Sequence, residues 1–304
     1  MAGVIGVTFA RQLLADVGRV GRFVPVASYQ RFAYYCGALL LLSGVLHLGV
    51  YAVDGGPWGG PLSWRKPIVF GLSFGITLVT LTWIMGLLRP GKRAAWLVLG
   101  ILSLSSVGEV ALISMQTWRG VASHFNEATP FDGMVFSLMG LLVALVVLMS
   151  VAITVWSMVR ISAPPSLALA VRAGLLLMLV SQAVGVQMIL EGGNTFDTAG
   201  ALKLPHAFTL HAVQVLPAVA LLLLASDTVE RHRVRVVGLG TAGYTLLVAA
   251  TMAQTYAGQA PLDASAVPTV LALCGLVLLT VSVLAAFRGL RPRMHPPAAP
   301  AVGA

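Results

Sequence analysis

The sequence predicts an all-α polytopic membrane protein of eight transmembrane helices, built as two like-oriented four-helix repeats with both termini cytoplasmic. Composition is the first reason: 58% of the residues are hydrophobic and 10% charged, whereas a soluble domain carries about 25% charged residues. Apolar runs are the second. The segments 33–53, 67–88, 94–118, 133–159, 168–190, 205–226, 236–257 and 267–287 are each long enough for about 30 Å of hydrocarbon. Charge placement is the third. With the N-terminus inside, 15 of the 19 Lys and Arg residues fall on the cytoplasmic side, and only Arg65, Lys66, Arg119 and Lys203 fall outside, the alternation that the positive-inside rule requires. The net charge of +9 follows from this topology and gives no reason to expect nucleic acid. The expected partner is a lipid bilayer, that of a bacterial inner membrane.

Residues 1–32 read as an amphipathic segment on the cytoplasmic surface, with Phe9, Leu13 and Val17 set against Arg11, Arg19 and Arg22. The charges do not precede the apolar residues, so a signal peptide is not expected. Residues 33–160 form the first four-helix unit and 161–287 the second, before a Pro/Ala tail at 288–304. Cys36 and Cys274 are isolated in the first and last spans and read as packing residues.

The repeat rests on motifs in the same order. Asp54-Gly55-Gly56, Lys66 and Pro67-x-x-Phe70-x-Leu72 match Glu191-Gly192-Gly193, Lys203 and Pro205-x-x-Phe208-x-Leu210. Gln116-Thr117-Trp118 matches Gln254-Thr255-Tyr256, and Pro130-Phe131-Asp132 matches Pro261-Leu262-Asp263. Several matches in order indicate an internal repeat of about 138 residues. Four spans per unit, an even number, put the halves in one orientation about an axis along the membrane normal. Gly71, Gly75, Gly238 and Gly243 are expected at close helix contacts.

Polar motifs collect at the expected outer ends: SWRKP at 63–67, WRGVASHFNEATPFD at 118–132, EGGNTFD at 191–197 and KLPHAFTLH at 203–211. A histidine or acid inside a span is costly unless it faces an interior, a cavity or a ligand. His47, Glu109, Arg119, His124 and His211 are therefore expected to converge on one outer-side cavity. Gln116, Asn126, Gln187, His206 and Gln214 are its further candidate lining. By the offsets of the repeat, His47 falls on Val184, Glu109 on Leu247 and His211 on Ser73. The unduplicated polar residues are the better functional candidates, because a shared fold needs only the shared ones. Asp132 also reads as an N-cap of the fourth span.

The strings SWRKP, WRGxxSHFNxxTPFD and LPHxxxLHxxQxLP, at 63–67, 118–132 and 204–217, resemble an uncharacterised bacterial family of multispan membrane proteins over most of the chain. In plan the chain is also similar to haem A synthase, which implies an extracytoplasmic functional side. It lacks that family's paired His-Arg helix starts and outer-loop cysteines.

Three functions compete, beside a purely structural role. A haem- or quinone-linked redox protein would use His47 and His211 as axial ligands of haem b, with Arg65, Lys66, Arg119 and Lys203 pairing propionates. A transporter or receptor would take a small anionic ligand on the same cations. An intramembrane metal-dependent hydrolase would use Ser43 and His47 on one helix face, with His47 and His211 as metal ligands. Nothing in the sequence sets an oligomeric state.

Overall fold

The structure, a computed structural model, describes residues 27–226, 228–263 and 265–289. Most of the amphipathic segment at 1–32 and nearly all of the tail at 288–304 lie outside the described residues. Eight helices follow in order: α1 Ser28–Asp54, α2 Arg65–Leu88, α3 Lys92–Trp118, α4 Pro130–Val159, α5 Pro165–Leu190, α6 Lys203–Leu224, α7 Glu230–Tyr256 and α8 Ala266–Arg288. Each is long and apolar enough to cross a membrane, and the chain is an integral membrane protein on that ground. The largest difference from the expected spans is at α7, which starts at Glu230 rather than near 236. Its first turns, Glu230-Arg-His-Arg-Val-Arg235, are too polar for hydrocarbon, yet the backbone stays helical into the charged interface.

α1 lies along α2, α5 along α6 and α7 along α8, while α3 pairs more loosely with α4. Apolar helices gain little from leaving lipid for one another, so close backbone approach at small residues has to supply the packing. A Cβ added to Gly71 would lie 2.8 Å from the Gly44 nitrogen, and one added to Gly174 would lie 2.7 Å from Val213 Cα. Gly75 and Gly243 also sit in tight contacts, against Leu41 and Leu279, but Gly238 has open space around it and takes no part in one. The shared core joins Leu78, Leu81 and Met85 of α2 to Leu99 of α3, Leu175 of α5 and Leu216 of α6. α1 and α8 are the least buried spans. Their exposed Leu39, Leu42, Leu273 and Leu276 form surfaces suited to acyl chains.

The residue 55–64, 119–129 and 191–202 connections gather at the end expected to face outward. There α3 closes on Gly120 at φ 68°, with the Val121 N–H donating to the Gln116 carbonyl, and α7 closes on Gly258 at φ 67°, with the Gln259 N–H donating to Gln254. Both are six-to-one helix closures that favour glycine at the left-handed position. The connection after α5 forms a feature the sequence reading missed. It is a small antiparallel hairpin, β1 Thr195–Phe196 with β2 Gly200–Ala201, laid on the end of α7. A Cβ on Gly200 would collide with the Thr255 carbonyl oxygen, so no larger residue fits. Thr198 Oγ1 and the Ala199 N–H both donate to the Gly258 carbonyl. This tether fixes the start of α6, and with it Lys203.

Candidate functional site: a two-level cleft between α2 and α6

The first turns of α2 and α6 face one another across an upper chamber of about 640 Å³. α2 contributes Arg65, Lys66, Val69, Phe70, Ser73 and Phe74, and α6 contributes Lys203, His206, Ala207, Leu210 and His211. Ala122, His124 and Phe125 of one loop, with Gly192, Gly193 and Asn194 of another, close its sides. A lower chamber of about 240 Å³ adjoins it and reaches Leu102, Ser106 and Glu109 of α3, Phe136 and Met139 of α4, and Gln182 of α5. Phe70, Ser73, Phe74, His124, Asn194 and His206 border both chambers, so they are two levels of one cleft.

The upper level is positive. Among the described residues none of Arg65, Lys66 and Lys203 has an acidic partner. The lower level is mostly apolar, with Glu109 on one wall. Glu109 is 0% exposed, and neither of its carboxyl oxygens has a hydrogen-bond partner among the described residues. Its nearest ionisable neighbour is His124, whose Nε2 lies 3.9 Å from Glu109 Oε1, too far for a hydrogen bond. The other ring nitrogen of His124 meets Ser123 Oγ at 2.9 Å. Burial, and then the charges of Lys66 and Lys203, push the His124 imidazole down to about 4 from its ordinary 6.5. It is therefore neutral at pH 7.

The other sequence-predicted residues divide between cleft and scaffold. His206 and His211 border the upper chamber. His206 Nδ1 donates to the Ser181 carbonyl at 2.8 Å, which fixes its tautomer. His47 does not converge with them. Its Nδ1 donates to the Ser43 carbonyl at 2.7 Å and its Nε2 accepts from the Trp118 indole at 3.1 Å. Its ring packs between Trp64 and Trp118, outside both chambers. Both nitrogens are engaged, so His47 and His211 do not share the cleft, and Ser43 and His47 lie outside it together. Among the described residues no three His, Cys, Asp or Glu side chains come together as a metal site.

Arg119 also lies outside the cleft. It pairs with Asp132 at 2.7 Å, donates to Gln116, and stacks 4.7 Å from the centroid of Phe131. Gln116 donates to the same Asp132 carboxylate at 2.9 Å. The N-cap of α4 is Thr129, not Asp132: the Thr129 hydroxyl accepts from the Asp132 N–H and donates to its carboxylate. Asn126 holds its own loop, donating to the Ala122 carbonyl and accepting from the Ala128 N–H. Gln187 accepts from the Tyr256 hydroxyl, and Gln214 donates to Thr77 across the two halves at 3.2 Å. Neither of these glutamines borders a chamber.

Sequence reasoning missed Gln182, Asn194 and the aromatic walls Phe70, Phe74, Phe125 and Phe136. Gln182 carried a usable signal as an amide in the middle of a span. The phenylalanines carried none, because a cavity wall and a packed core draw on the same residues. A scan against protein-family models found no match to the chain, and searches among curated proteins and solved structures found none either.

Proposed function

We propose that the chain is a membrane binding protein for a small anionic ligand, taken into the upper chamber from the side that the charge pattern places outside. The observation that carries this reading is the convergence of Arg65, Lys66 and Lys203 on one cavity with no acidic partner among the described residues. Like charges held together raise the energy of the empty site, and an anion relieves it. α2 and α6 both start at this rim, so the positive ends of two helix dipoles add to the same field. Phe70, Phe74 and Leu210 below the cations suit an apolar body on the ligand. Leu99, Leu175 and Leu216 are fully buried in the shared core and border neither chamber, which favours binding over passage through the bundle.

The proposed repeat puts this site at a junction between equivalent helices. Gly37 and Gly174, each at a tight contact with the following helix, keep the spacing of Asp54 and Glu191. Gly120 and Gly258, each closing a helix in the left-handed region, keep that of Pro67 and Pro205. α2 and α6 are the second helices of their units, so a two-fold relation brings them face to face.

Calorimetric titration of the purified full-length chain in a non-ionic detergent, with short-chain carboxylates such as hexanoate, tests the reading. Binding is expected, and Lys66→Ala or Lys203→Ala is expected to weaken it about tenfold while His47→Ala leaves it unchanged. Absence of carboxylate binding, or equal binding by the two lysine variants and the wild type, overturns it.

A further inference from the structure

Glu109 lies on a chamber wall formed by Leu102, Phe136 and Met139, fully buried and with both carboxyl oxygens unpartnered among the described residues. The Oε1 of Gln182, which borders the same chamber, is also buried and unpartnered. Three buried oxygens of residues that border this chamber thus have no partner among the described residues, and buried polar atoms are rarely left so. Ser106 does not serve them, because its hydroxyl donates to the Leu102 carbonyl at 2.7 Å. His124 does not reach Glu109 closely enough. No donor among the described residues reaches these oxygens.

We infer that the lower chamber is a subsite for an ammonium group, and that the ligand of the cleft is a zwitterion whose anionic end rests on Arg65, Lys66 and Lys203 while its ammonium sits at Glu109 and Gln182. The inference rests on the anion-binding reading of the upper chamber and deepens it. A primary ammonium is compact and carries three donors and no acceptor, the chemistry that unpartnered carboxyl and amide oxygens call for. Phe70, Phe74 and Phe136 line the same chamber, and aromatic rings attract a cation. The two subsites flank one residue: His124 borders both chambers, lies 3.9 Å from Glu109 and feels the charges of Lys66 and Lys203. A single small molecule therefore spans them. A free amine would meet the repulsion of three cations at the rim. An amine carrying its own anion would be neutral overall on entry.

The test compares three ligands of matched length on the wild-type chain at pH 7: hexanoate, 6-hydroxyhexanoate and 6-aminohexanoate, by calorimetric titration in non-ionic detergent. 6-Aminohexanoate is expected to bind about tenfold or more tighter than hexanoate, the range for hydrogen bonds to a charged group, and Glu109→Gln is expected to abolish that advantage while keeping hexanoate affinity. Equal binding of hexanoate and 6-aminohexanoate overturns the ammonium subsite and leaves the anion site standing. An equal gain from 6-hydroxyhexanoate also overturns it, since a neutral donor would then suffice. If none of the three binds, the anion reading itself has failed. The wild-type comparison stands without the variant, and retained hexanoate binding shows that Glu109→Gln has folded.

Discussion

Asp132 and His124 show how the junction of α3 and α4 serves two purposes. Asp132, 2% exposed, accepts from Gln116, Arg119 and Thr129 at once, binding the end of α3 to the start of α4. Asp132→Ala is expected to lower the unfolding temperature, moderated because Arg119 is partly exposed and regains water. His124 sets a pH dependence. Its folded value is lowered, so the unfolded chain binds the proton more readily, and the stability it contributes is present above about 6.5 and is lost as the pH falls toward about 4. The unfolding temperature is expected to drop through that window, and His124→Phe is expected to flatten the drop. His47, saturated by Ser43 and Trp118, contributes to the aromatic rim. His47→Ala is expected to lower the unfolding temperature and leave ligand affinity unaltered.

At the scale of elements, the hairpin between α5 and α6 is the least expected part of the fold and the one that places Asn194 and Lys203. Gly200 is its fixed point, pressed against the Thr255 carbonyl. Gly200→Ala is expected to cost about 1–3 kcal/mol through overpacking, and to weaken carboxylate binding as well, because the loop carrying Asn194 and the start of α6 must shift together. A loss of stability with unchanged affinity would show that the hairpin does not position the rim. The sequence carried the helices themselves clearly, since a twenty-residue apolar run has few other fates. It did not show that TFDTAGA at 195–201 pairs with itself, because two-residue strands have no periodicity to read.

For the whole molecule, the test of orientation is a set of reporter fusions. Fusions at Lys92 and Arg233 are expected to report the cytoplasm, and fusions at Asn126 and Asn194 the outside. A periplasmic signal at Lys92 would reverse the side from which the cleft is reached.

The sequence by itself determined the eight spans, the all-helical class and the end of the bundle at which polar chemistry gathers, because transfer to lipid is governed by composition over a run of residues. It also marked Glu109, His124, His206 and His211, since ionisable groups in an apolar setting need a reason wherever they point. Which of the marked residues share a cavity was decided only by tertiary structure. His47 and His211 look alike as histidines within spans, yet one is held by Ser43 and Trp118 and the other borders the cleft. Arg119 and Lys203 look alike as outer cations, yet Asp132 neutralises the first while the second has no acidic partner among the described residues. The direction in which a side chain leaves its helix depends on helix rotation and on partners far away in the chain, and those are fixed by packing between backbones at Gly44, Gly71 and Gly174.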